Sequence, residues 1–249
     1  MINNRWKKIE REKNIYLPTL NKFPIISKNT KVCLMGSCFA DEMGCVLAEN
    51  NINIGKVEYL KEKRAVIYPW GTFFSPRNLH EILDISFNEN TENFFNENSF
   101  IRTPQDLIRG HYQSLTQASK DDKYKLINLY VKASLKTNNY ITAKNAINKK
   151  LSFFRDSINI ADVVIITLGL IENWIDKKTN RAWHSFHGDA LKKKPIEDLA
   201  YFERLSFDEV CKHLDKIIKI INPENKKKII FTISPIPLNF TFTDQDIVV

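Results

Sequence analysis

A serine and a cysteine stand side by side at Ser37 and Cys38, after a short apolar run (Lys31-Val-Cys-Leu-Met35) and a glycine, Gly36. Apolar residues at helical spacing follow: Phe39, Met43, Val46 and Leu47. The order reads as strand, tight turn, helix. The first turn of a helix carries N–H groups without intrahelical partners, and its dipole favours negative charge there. A hydroxyl or thiol at that turn lies beside donors suited to an oxyanion, which makes Ser37 and Cys38 candidate nucleophiles for acyl transfer. The competing assignment is structural: Ser37 caps the helix and Cys38 packs beneath it.

The remaining reactive side chains are few. Cys33, Cys45 and Cys211 form no C-x-x-C pair and no metal-type spacing with Cys38, so they read as reduced thiols that pack as small hydrophobes. His184 and His187 stand three apart in Trp183-His-Ser-Phe-His-Gly188, but no third ligand accompanies them, so no metal is expected and a surface loop is. His111 lies in a polar insertion, where it could line a pocket. His80 and His213 read as structural, His213 on the polar side of an amphipathic helix. No cofactor motif is present.

These groups need elements to position them. Residues 1–30 are polar and irregular and read as an N-terminal arm, ahead of one domain over 31–249. After the first strand and helix, a second strand is expected at Asn53–Tyr59. Tyr68-Pro-Trp-Gly-Thr-Phe-Phe-Ser-Pro76 is a loop, and Pro76 opens a helix over Arg77–Ile85. Residues 88–159 form an irregular and helical insertion, with a short hairpin near Phe95–Arg102. Leu126, Leu129, Tyr130 and Ala133 share one helical face, and a second helix covers Ile141–Ile158. Ala161-Asp-Val-Val-Ile-Ile-Thr-Leu-Gly169 is a continuous β-branched run, the mark of a strand buried on both faces. Residues 177–205 read as a polar loop region. Phe207–Ile221 is an amphipathic helix with Val210, Leu214, Ile217, Ile218 and Ile221 inward, and Ser206 and Glu209 have capping-box spacing. Lys228–Ile233 is a second buried strand. Strands alternating with helices predict an α/β fold, a three-layer α/β/α sandwich around a mostly parallel sheet. Ligands bind such sheets beyond the carboxyl ends of the strands. That singles out Gly36–Ala40, Gly71, Gly169–Trp174 and Ser234–Pro237.

The five residues Gly36-Ser-Cys-Phe-Ala40 spell the motif for which the GSCFA family is named, and three further blocks follow in that family's order. Tyr68–Pro76 resembles its Asn-Pro-Phe-Gly segment, Thr167-Leu-Gly-Leu-Ile-Glu-Asn-Trp174 its Leu-Gly-Leu-Thr-Glu-x-Trp block, and Thr232-Ile-Ser-Pro-Ile-Pro-Leu238 its Val-Ser-Pro-Val-Pro block. The resemblance covers residues 31–246. It implies a fold similar to the SGNH (flavodoxin-like) hydrolases, with a nucleophile after the first strand and oxyanion donors after the second and third. Counted from the glycine, Cys38 falls at the nucleophile position of that pattern; a shift of one residue gives Ser37. Gly71 and Gly169 match its oxyanion blocks. The asparagine of the third block is absent at its usual spacing: Ile171 stands there, then Glu172, with Asn173 one residue on. Glu172 as an anion opposes an oxyanion, so it reads as a base, a substrate ligand or a loop anchor, or as an exposed carboxylate at a helix start. No Asp-x-x-His follows Pro235, and no histidine follows His213. The domain is therefore expected to lack its C-terminal elements, to take its base from elsewhere, or to be inactive.

Composition bounds the rest. The chain of 249 residues carries 37 Lys and Arg against 29 Asp and Glu, a net charge of +8. The basic residues are dispersed, with short runs at Lys192–Lys194 and Lys226–Lys228, and no nucleic-acid-binding fold motif accompanies them, so no nucleic acid is expected. No stretch approaches the roughly 18–20 apolar residues of a membrane span. The polar start is not a secretory signal, so a cytoplasmic location is expected. The resemblance favours an ester hydrolase or O-acyltransferase on a carbohydrate or glycan-linked ester, with no cofactor. The alternative is a non-catalytic glycan-binding or scaffold module. Trp70, Phe73, Phe74, Trp174 and Trp183 then either stack on sugar faces or form core.

Overall fold

The computed structural model describes residues 25–68, 70–87, 95, 99–104, 124–131, 133–135, 139–184 and 196–233. Its centre is a parallel three-stranded sheet. β1 (Val32–Gly36) and β10 (Lys228–Ile233) flank β7 (Val163–Leu168), with Val32 opposite Val163 and Lys228 opposite Val163. The β-branched run of β7 is buried as its continuous hydrophobicity predicts: Val163, Val164, Ile165 and Ile166 are all at or below 1% exposure. β10 departs from expectation. Lys228, Phe231 and Ile233 are exposed and Ile229, Ile230 and Thr232 lie between, so it is a half-covered strand and not a buried one.

Among the described residues, four helices of three turns or more accompany the sheet: α1 (Cys38–Glu49), α2 (Pro76–Phe87), α3 (Tyr140–Ile160) and α5 (Phe207–Ile221). Pro76 stands at the first position of α2, where its missing N–H costs nothing. In α5 the Ser206 hydroxyl accepts from the Glu209 N–H, and the Glu209 carboxylate takes the Ser206 N–H at 2.8 Å, the expected capping box. Ile217 and Ile221 are its fully buried residues. The carboxyl end of α3 is held by Lys227, whose Nζ donates to Asn159 O and Ala161 O, both at 2.9 Å.

Three stretches differ from the sequence reading, each for a local reason. The second strand is shorter than Asn53–Tyr59. Asn53 keeps one parallel bridge to Lys31, but its side chain takes the Gly55 N–H at 2.9 Å and turns the chain. The strand proper, β2 (Glu58–Leu60), pairs antiparallel with β3 (Ala65–Ile67). The helix expected through Leu126–Ala133 is instead β5 (Tyr124–Asn128), a turn, and β6 (Ala133–Leu135). Asn128 Oδ1 accepts from the N–H groups of Tyr130 and Val131 at 2.9 and 2.8 Å, a local side-chain bond that competes with helix. β5 pairs on its other side with β4 (Phe100–Pro104), so the partner of that strand lies beyond the hairpin expected near Phe95–Arg102.

The third is the region after β7, which carries β8 (Glu172–Asp176) paired with β9 (Ala200–Arg204), and the single turn α4 (Ile196–Leu199) before β9. Asp176 organises the turn after β8. One carboxylate oxygen takes the N–H groups of Lys178 and Thr179, and the other takes Tyr130 Oη–H and Trp183 Nε1–H at 3.2 Å each. The expected insertion at residues 88–159 thus contains a small sheet and a long helix in its described parts, and that sheet is tied to β8 through Tyr130.

Helices α2 and α5 pack together through His80 and His213, whose Nδ1 atoms are 3.2 Å apart. Both imidazoles are half-buried, and burial pushes each down to about 4, with Lys216 and each ring's neighbours adding repulsion. Folded, they bind a proton less readily than at the ordinary value of 6.5. The unfolded chain therefore takes up more protons between pH 6.5 and about 4, and the stability present above pH 6.5 is lost as the pH falls through that window. Urea unfolding at a series of pH values should show this loss. Replacing both histidines by Gln should flatten the curve there, and an unchanged slope in that variant assigns the loss to other groups.

Candidate functional site

The parallel register brings the carboxyl ends of β1, β7 and β10 to one edge: Gly36 lies opposite Thr167, and Thr167 opposite Thr232. The Thr167 and Thr232 hydroxyls are bonded at 2.8 Å. Gly36 has φ +133°, and a Cβ at that position would stand 1.9 Å from Thr167 O, so only glycine fits. The chain then turns into α1. Ser37 N donates to Thr167 O at 2.9 Å, and Ser37 Oγ accepts from Phe39 N at 3.4 Å as the N-cap. Ser37 is buried, at 3% exposure, whereas Cys38 is exposed. The structural assignment thus holds for Ser37 as a cap, while Cys38 does not pack beneath the helix.

The Tyr68–Pro76 loop is laced to this edge by three consecutive residues. Phe73 N donates to Gly36 O at 2.7 Å. Phe74 O accepts from Gly169 N and Leu170 N at 3.2 and 3.0 Å. Ser75 Oγ donates to Asn173 Oδ1 and accepts from Arg77 N at 3.2 Å. Three of the four sequence blocks, spread over residues 36–174, are thereby joined. Ser234–Pro237 lies outside the described residues.

The expected oxyanion donors fare differently. Gly71 N closes a turn onto Tyr68 O at 3.2 Å, and Gly169 N is the group held by Phe74 O, so both N–H groups serve the loop in this conformation. Asn173 is 2% exposed, and its Nδ2 is buried with no acceptor among the described residues. Glu172 is neither exposed nor at a helix start. It is 4% exposed on β8, directly opposite Arg204 of β9, whose Nη2 donates to its Oε1 at 3.0 Å. Among the five aromatics, Trp70, Phe73 and Trp183 are core, and Phe74 and Trp174 are half-buried.

His184 belongs to this region in a way its loop assignment did not anticipate. It is buried, its Nε2 bonds Thr72 O, and its ring meets Phe73 edge-on at 6.1 Å. His187 and His111 lie outside the described residues. Among the described residues no group of three or more His, Cys, Asp or Glu is disposed to hold a metal ion, and no helix is long and apolar enough to cross a membrane. Burial pushes the Cys33 thiol up to about 12, which suits the packing role read from its sequence. Sequence reasoning did not single out Ser75 or Arg204. The Ser-Pro pair at 75–76, an N-cap followed by proline, is the signal that marks the first.

The close approach of Gly36 to Thr167 gives a direct test. Gly36→Ala should lose more than about 4 kcal/mol in urea unfolding, beyond the range of ordinary substitutions. An alanine variant as stable as the parent contradicts the geometry at this turn.

No curated protein and no solved structure matches the chain. The sequence model of the GSCFA family matches residues 31–249, a span that includes the Gly36–Ala40 turn, the lacing loop and the β7–β8 block. On that match the chain belongs to the GSCFA family.

Proposed function

We propose that the domain is an ester hydrolase or O-acyltransferase that works through an acyl-enzyme on Cys38, with a carbohydrate or glycan-linked ester as substrate. The exposure of Cys38 at the first helical position of α1, beside a buried Ser37, carries the choice of nucleophile. Cys38 Sγ attacks the ester carbonyl carbon. The carbonyl oxygen takes up negative charge, and the Cys38 N–H at the start of α1 together with Asn173 Nδ2 stabilises it. The C–O bond then breaks, the alcohol leaves with the thiol proton, and the acyl group remains as a thioester. Water or an acceptor hydroxyl takes the acyl group and restores the thiol. Glu172, paired with Arg204, acts as a loop anchor in this reading and not as the base. The half-buried Phe74 and Trp174 supply the aromatic faces for a sugar. The same reading takes the parallel sheet as the middle layer of an SGNH-like three-layer sandwich. The four unpaired cysteines suit a reducing, cytoplasmic setting.

Incubation with p-nitrophenyl acetate tests the proposal. The acyl-enzyme should be recovered as a peptide acetylated at Cys38, and Cys38→Ala should lower kcat/KM by about 10³-fold or more. Ser37→Ala should chiefly lower stability, by about 1 kcal/mol for a lost cap. Unchanged turnover in Cys38→Ala removes Cys38 as nucleophile. Sugar binding without any turnover by the parent chain supports the binding-module alternative.

A further inference from the structure

We infer that Ser75 is a positioning residue for this reaction: it orients the Asn173 amide so that Nδ2 is the group left to bind the reacting carbonyl oxygen. The inference rests on the acyl-transfer reading above and adds a residue that reading does not use. Its basis is the bonding capacity of one hydroxyl. Ser75 is the residue before α2, and Pro76 at the first helical position has no N–H, so the first N–H within reach of the cap is that of Arg77. Ser75 Oγ accepts it at 3.2 Å. A serine hydroxyl has one proton to give, and here it goes to Asn173 Oδ1. The acceptor half of the amide is thereby occupied, and the donor half is left.

Two observations bear on that donor. Asn173 Nδ2 is buried with no acceptor among the described residues, in a side chain at 2% exposure, while Ser75 itself is at 4%. Native structures seldom retain such a group unless something binds it. The segment carrying Asn173 is also anchored just upstream, where Phe74 O takes the N–H groups of Gly169 and Leu170, and the residue before Phe74 is bonded to Gly36 O. Ser75 therefore sets the amide relative to a backbone that is already tied to the turn bearing Cys38.

The test uses the full chain, p-nitrophenyl acetate as probe, and the variants Ser75→Ala, Ser75→Thr, Asn173→Ala and the Ser75→Ala/Asn173→Ala double. Asn173→Ala should lower kcat by about 10²- to 10³-fold, the loss seen for one oxyanion donor. Ser75→Ala should lower kcat by about 10- to 100-fold with KM unchanged, the scale of a misplaced reacting group. Ser75→Thr, which keeps the hydroxyl, should restore most of the rate, and the double variant should be no slower than Asn173→Ala alone. If Ser75→Ala loses thermal stability but keeps the parent kcat, Ser75 is only a helix cap and the inference fails. Equal turnover by the parent and Asn173→Ala, with Cys38 still acetylated, overturns the positioning role and leaves the Cys38 reading standing. Absence of both turnover and acetyl-Cys38 in the parent removes that reading and this role together.

Discussion

The candidate site depends on one backbone constraint, the passage of Gly36 against Thr167. Adjacent strands lie about 4.8 Å apart, and β1 must leave that spacing abruptly if α1 is to start at its end. A positive φ at Gly36 turns the chain while Ser37 N keeps the last bond to Thr167 O. Any side chain at residue 36 would strike that carbonyl. The loop at 68–76 then closes over the turn, and Phe73, Phe74 and Ser75 each bond a different partner. Removing the turn would therefore release the loop from Gly36 O as well as the start of α1.

Neighbouring residues on this edge take different tasks because the backbone points them apart. Ser37 has the extended conformation of an N-cap, φ −75° and ψ −179°, and is buried; Cys38 is the first helical residue and is exposed. Glu172 and Asn173 are successive on β8, so their side chains go to opposite faces. One meets Arg204 across the strand pair, and the other meets Ser75 on the loop. An anion and an amide that are adjacent in sequence are thus kept in separate bonding environments.

The features legible in the sequence were those with strong local signals. The apolar runs of β1 and β7, the amphipathic α5 with its capping box, and Pro76 at the start of α2 all appear where their patterns put them. Ser37 as a cap was also readable. Three of the misread segments share a cause: an Asn or Asp side chain bonded to backbone N–H groups a few residues on. Asn53, Asn128 and Asp176 each do this, and the turns they make divide stretches that periodicity alone joins or leaves blank. The pairing of Glu172 with Arg204 and the burial of His184 come from contacts distant in sequence, which spacing along one chain does not encode. The burial of Trp70, Phe73 and Trp183 likewise follows from packing and not from their proximity to the motifs.

The most direct test of Cys38 as nucleophile is a crystal structure of the chain with an acyl group trapped on Cys38 from an aryl ester. The expected adduct is a thioester whose carbonyl oxygen lies roughly 2.7–3.1 Å from Asn173 Nδ2 and from the Cys38 N–H at the start of α1, with Ser75 still bonded to Asn173 Oδ1. An adduct at another residue, or a carbonyl oxygen turned to solvent away from both donors, would contradict it.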